Sequence, residues 1–149
     1  MSIDQTAKQN RSERGQSLIE LALTLTLLLI LLAGAVDFGR AFFTYVALRD
    51  AAQEGANYGA INPTESDPGE QVELRVRDSS DHPVDLTNTA SIQVVTTLLG
   101  APCLGNGIQV DVTYIDFPIT MPFLGAILGT QTIPIHATVT ATILAPSCD

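Results

Sequence analysis

The chemistry in this sequence is concentrated at one glutamate, Glu20, set inside a long apolar run. Residues 18–36 contain no other ionisable side chain, and the next one along the chain is Asp37. A charged side chain at mid-membrane costs about 2.5–3.5 kcal/mol on insertion scales, and less near the end of a span. Glu20 therefore calls for a cation. The run supplies none; the nearest, Arg11 and Arg14, precede it. A cut between Gly15 and Gln16 would create an amine four residues before Glu20, able to pair with the carboxylate of its own chain or of a neighbour. The remaining candidates offer less. His82 adjoins a proline in a loop, and His136 falls on the outward face of a strand, so both read as surface residues. Cys103 and Cys148 lack the further His or Cys ligands of a metal site. Nucleophile-elbow, zinc-protease, phosphate-loop and dinucleotide motifs are absent from the sequence. The carboxylates outside the run are scattered, so no catalytic residue, metal or cofactor is expected.

The element that positions Glu20 is a helix. A membrane span takes roughly 20 apolar residues, and residues 18–36 supply 19 with Thr24 and Thr26 among them. Threonine fits because its hydroxyl can bond back to a helical carbonyl. A secretory signal has a shorter apolar core, about 7–15 residues, and a small-residue cleavage site; Ala33-Gly34-Ala35 matches that only weakly. The run reads as one retained transmembrane helix in contact with lipid. Residues 1–14 are polar, without apolar period, and are expected to be disordered.

Charge sets the orientation. The formal net charge is −9, of which the first 15 residues carry +1 and the remainder −10. The positive-inside tendency puts the N-terminus in the cytoplasm and the large C-terminal part outside. An acidic outer domain argues against nucleic acid, which demands clustered Lys and Arg; solubility is the plain account of its charge.

Gly15-Gln16-Ser17-Leu18-Ile19-Glu20-Leu21 resembles the processing signal of type IV pilins and pseudopilins: a glycine, a cut, and a glutamate at the fifth position of the mature chain. With Val36-Asp37-Phe38-Gly39-Arg40-Ala41 and the stretch 51–60, Ala-Ala-Gln-Glu-Gly-Ala-Asn-Tyr-Gly-Ala, it resembles the TadE-like pseudopilins. The resemblance implies that residues 1–15 are a cytoplasmic leader removed by a prepilin peptidase. It makes Gln16 the new N-terminus and Glu20 the assembly carboxylate. It implies a non-enzymatic protein of tight-adherence pilus biogenesis or secretion, whose partners are other pilin or pseudopilin subunits and the assembly platform. Two positions depart from the common pattern: Thr26 stands where members often carry proline, and Gln16 where many pilins carry phenylalanine. The alternative is a single-pass anchored domain that binds an extracellular ligand.

Beyond the span, Phe38, Ala41, Phe42, Tyr45, Leu48, Ala52 and Gly59 recur at three- and four-residue steps, the period of an amphipathic helix. Residues 16–60 therefore read as one helix about 67 Å long. Its late part is rich in Ala and Gly, so another backbone can approach closely; the chain's own sheet is the preferred partner, a neighbouring subunit the other. Residues 62–70 form a loop. Asp67-Pro68-Gly69-Glu70 fits a helix start, so residues 68–79 are taken as a second helix, although Val72, Leu74 and Val76 alternate as in a strand. Residues 81–88 form another loop, and strands follow over 91–98, 108–116 and 132–144. The last two present Ile108, Val110, Val112 and Tyr114, and Ile133, Ile135, Ala137, Val139, Ala141 and Ile143, on single faces, as in a half-buried antiparallel sheet. The fold class is α+β and pilin-like: a long N-terminal helix, membrane-spanning in its first half, packed on a small sheet formed within residues 61–149.

If the two long strands form one hairpin centred near residues 123–126, facing residue numbers sum to about 250. Cys103 and Cys148 sum to 251, which sets them opposite each other at the open end, in a compartment that permits disulfides. A ring of that size contributes about 3–4 kcal/mol; the alternative is two free thiols. The connection over residues 117–129 is too short and too proline-broken to span a membrane, yet very apolar. It is expected to cover the helix, the alternatives being a partner subunit or the bilayer surface.

Overall fold

The computed structural model describes residues 4–63, 68–80, 82–121 and 124–148, the side chains of 4–14, Pro68, Leu124 and Leu128 excepted. Helix α1 runs over Asp4–Ile61, α2 over Pro68–Asp78, strand β1 over Ile92–Leu99, β2 over Gly107–Pro118, a short α3 over Leu124–Leu128, and β3 over Thr132–Thr142. The fold is α+β: a long N-terminal helix and one antiparallel sheet in the order β1-β2-β3.

α1 begins well before the expected start at Gln16. Residues 4–14 are helical, not disordered. They contain no proline or glycine, and Gln, Ala, Lys, Arg and Glu are good helix formers. Joined to a helix that already exists, they escape the nucleation cost that melts isolated short helices. At 58 residues α1 is about 87 Å long.

The core lies on the second half of α1. Leu48, Ala51, Ala52, Ala56 and Ala60 pack with Val72 and Val76 of α2, Val84, Leu86, Ile92, Ile108, Val110, Val112 and Ala137. Small residues there serve close approach. A Cβ on Gly55 would lie 2.5 Å from Val76 Cγ2, and one on Gly59 would collide with Ile108 and Val72. The partners are this chain's own α2 and sheet. In α2, Val72 and Val76 are buried while Leu74 is 54% exposed, the i, i+4 pattern of a helix, so the alternation along the sequence is incidental. The expected cap, Asp67, lies outside the described residues. Arg77 ties α2 down. It pairs with Glu73 at 2.6 Å and donates to the carbonyl of Leu86 at 2.8 Å and of Ile92 at 3.4 Å.

β2 and β3 pair with partners such as Ile108↔Ala141 and Tyr114↔Ile135, summing to 249, then Phe117↔Ile133, summing to 250. The step is an irregularity between Tyr114 and Phe117. Strict alternation would turn Asp116 inward; the shift leaves Asp116 exposed and buries Phe117 instead. On β3, Pro134, His136, Thr138, Thr140 and Thr142 are exposed. His82 is exposed in the loop after α2.

The sheet lies along α1 with its strands roughly parallel to the helix axis. At one end Gly59 meets Ile108 and the Ala60 carbonyl accepts from the Leu144 N–H at 3.2 Å. At the other, Thr120 and Met121 meet Asp37. The helix between those levels is about 33 Å long and the strand about 40 Å, so β2 runs the length of the docked half.

Candidate functional site

The proposed processing and assembly residues lie on the bare first half of α1. The side chains of residues 15–29 are all exposed, and large apolar ones point outward around the whole helix, among them Leu21, Leu23, Leu25, Leu27 and Leu29. The helix is long and apolar enough to cross a membrane. Thr24 and Thr26 donate their hydroxyls to the carbonyls of Glu20 and Ala22, each at 2.8 Å, so their polar atoms are satisfied within the helix. Glu20 projects from the same exposed surface. A Cβ added to Gly15 would meet nothing within 4 Å. Unlike Gly55 and Gly59, Gly15 is not required by packing in this fold. Gln16 and Glu20 are separated by about 6 Å along the helix axis, one turn apart on one face.

A second constellation stands where the apolar run ends. Asp37 is buried. Its carboxylate accepts from the Thr120 N–H at 2.9 Å, the Met121 N–H at 2.6 Å and the Thr120 hydroxyl, and Arg40 pairs with it at 3.3 Å. Burial alone pushes the Asp37 carboxyl up. The Thr120 hydroxyl, the Met121 and Thr120 amides and the Arg40 charge outweigh it and hold the group below the ordinary carboxylate range. The Arg40 guanidinium also lies over the Phe117 ring, 5.3 Å from its centroid, and Phe117 meets Tyr114 edge-on at 6.0 Å. Met121 packs its sulfur beside Gly34, where a Cβ would lie 3.5 Å away. One acid thus fastens the β2–β3 connection to the helix just past the apolar run. Sequence reasoning took Asp37 only as the end of that run and as part of a resemblance. The available signal was a lone acid followed by an arginine three residues on; its partners are more than eighty residues away in sequence.

Cys103 and Cys148 are joined as a disulfide, Cα to Cα 5.2 Å, at the end of the sheet remote from Asp37. The Asn106 amide lies 3.3 Å from the Cys103 sulfur. The structure therefore does not gather the candidate residues into one site. Gly15, Gln16 and Glu20 share the start of the bare helix, and the cysteines staple the far end of the domain. A groove beside α1 is lined by Phe43, Asp50, Glu54, Arg75, Asp78 and His82, but Glu54 and Arg75 neutralise each other at 2.6 Å.

The family model described as TadE-like protein matches residues 15–57. The matched segment opens on Gly15, takes in Glu20, Asp37 and Arg40, and ends in the docked part of α1. No curated protein and no solved structure matches the chain.

Proposed function

From this TadE-like segment at residues 15–57, we propose that the chain is a pseudopilin-like, non-enzymatic membrane protein of tight-adherence pilus biogenesis. Residues 1–15 form a cytoplasmic leader. A prepilin peptidase cuts between Gly15 and Gln16, and the mature helix spans the membrane over residues 18–36 with the remainder of the chain outside. The mature helix slides laterally against other pilin or pseudopilin helices. Glu20 then neutralises the Gln16 amine of an adjacent subunit as both leave the aqueous interface. The sheet domain sets the geometry in which the subunit meets the assembly platform.

The observation that carries this reading is the pairing of Gly15 with Glu20. The fold places no steric demand on Gly15, so the reason for glycine there lies outside the fold, in recognition by an enzyme. Glu20 sits on an apolar, exposed helix face, where a carboxylate gains from the ammonium that the cut creates. The leader is helical from Asp4 up to the cut, and a protease needs extended backbone; Gly15 is the residue at which that helix opens at least cost.

Intact mass of protein extracted from membranes, with and without the peptidase, tests the cut. The expected result is loss of residues 1–15 only when the peptidase is present; one unchanged mass in both samples removes the reading. A Glu20→Ala variant is expected to be processed but to fail in assembly, and Glu20→Asp to assemble in part. An anchored extracellular binding domain would remain uncut and would be indifferent to both substitutions.

A further inference from the structure

We propose that α3 in the β2–β3 connection, with Thr120 and Met121 at its base, is a second membrane contact, a lobe that enters the outer edge of the bilayer beside the helix. The inference rests on the reading of residues 18–36 as a membrane span.

Topology brings the lobe there. β2 runs down α1 from the level of Gly59 to the level of Asp37. The Ile119 N–H donates to the Gln131 carbonyl at 2.9 Å, closing a neck beyond the last sheet pair, Pro118↔Thr132, so Thr120, Met121 and α3 lie outside the sheet. Its base stands at the span: Thr120 and Met121 are held by Asp37, and the Met121 side chain reaches Gly34, which lies inside the apolar run. A segment fixed at the level of Gly34 is already at the lipid boundary if residues 18–36 cross the membrane.

The composition fits that place. No ionisable residue occurs between Asp116 and His136. Phe117 and Ile119 are buried against the domain, whereas Ile127 in α3 is 79% exposed, the highest value among the large apolar side chains described. Water is a poor neighbour for it, and Met121, at the base of the lobe, already stands beside Gly34 in the apolar run of α1. On α1, Phe38 and Phe42 are exposed just past the span, where aromatic rings favour the interface. The occupant of this apolar surface is therefore lipid. Apolar faces seated in this way lie about 5–10 Å into the headgroup and acyl boundary. Two contacts, one helix and one lobe, would fix the tilt of the outer domain, which a single helix leaves free to swing.

The chain contains no tryptophan, so a single introduced indole reports its own surroundings. Full-length Ile127→Trp, Leu29→Trp and Leu104→Trp would be placed in vesicles of phosphatidylcholine and phosphatidylglycerol, with and without bromine near the acyl carbonyl, at protein densities too low for copies to meet. Leu29 marks the span. Leu104 is 53% exposed beside the disulfide, at the far end of the domain. Ile127→Trp is expected to emit at shorter wavelength than Leu104→Trp and to lose roughly half its intensity to the brominated lipid, as an indole at the interface should. Ala126→Trp, also exposed, repeats the reading one position away. Leu104→Trp is expected to be unaffected. If Leu29→Trp is protected and blue-shifted while Ile127→Trp and Ala126→Trp behave like Leu104→Trp, the span stands and the lobe proposal is overturned. A blue shift of Ile127→Trp that appears only as protein density rises, without loss of intensity to the brominated lipid, assigns the surface to a second copy and likewise overturns it. If Leu29→Trp is itself in water, the span reading falls and takes the lobe with it.

Discussion

The two halves of α1 are apolar for opposite reasons. Over residues 18–36 large side chains point in every direction and all but the half-buried Ile30 are exposed. Over residues 48–60 a single stripe of Leu, Ala and Gly is buried, while Gln53 and Asn57 face outward. In the first half the helix is shaped by the solvent it enters; in the second it is shaped by its neighbours α2 and the sheet. The glycines follow the same division. Gly15 and Gly39 have open space where a Cβ would go, and Gly55 and Gly59 have none. Apolar character alone does not say which half is packed. Helix-wide distribution and residue size do.

Substitutions that treat the halves alike should separate them, most sharply at leucine. Leu48→Ala is expected to destabilise the domain by about 2–5 kcal/mol through the cavity left behind, whereas Leu28→Ala should leave domain stability within about 0.5 kcal/mol. Denaturant unfolding in mild detergent, followed by near-UV circular dichroism, measures both; equal losses would erase the distinction. Gly59→Val comes next, at about 1–3 kcal/mol from overpacking against Ile108 and Val72.

Asp37, at the junction, should show an intermediate effect. Asp37→Ala strips a buried acceptor from the Thr120 and Met121 amides, at about 1–3 kcal/mol, seen as faster amide exchange over residues 119–121. The wild-type carboxyl is held below its ordinary value. Its contribution is therefore complete above the unfolded carboxylate range and is lost as pH falls through the depressed value. Exchange at Thr120 and Met121 should accelerate on acidification through that window. Asp37→Asn should abolish the dependence, and a variant that kept it would mean that another group titrates there.

The smallest stability effect belongs to Gly15. Gly15→Ala should shift unfolding by no more than about 0.5 kcal/mol while slowing processing at Gly15–Gln16 in a peptidase assay. A stability loss as large as that of Gly59→Val would place the reason for Gly15 inside the fold after all.

Much of the architecture was legible because it is periodic. The β2–β3 register came out within one residue of the sum expected from alternation, since side-chain period leaves a strand only one way to bury its apolar face. The helix over 68–79 was legible from Pro68 and Glu70 at its start, and the small-residue stripe at 51–60 from its spacing. The early start of α1 at Asp4 leaves no hydrophobic period in the sequence; it follows from helix propensity and attachment to an existing helix. The inward turn of Phe117 was missed because an irregularity in a strand leaves no periodic trace.

Taken alone, then, the sequence determined what depends on local order: the apolar run, its lone acid behind a glycine, the alternating strands and the pairing distance of Cys103 and Cys148. Only the tertiary structure decided what depends on residues far apart meeting. It assigned Gly55 and Gly59 to α2 and the sheet, gave Asp37 its partners at Thr120 and Met121, and set Met121 beside Gly34 in the apolar half of α1. Periodicity records which face of an element is buried, but hydrogen bonds and steric fit between distant segments exist only once the chain has closed on itself.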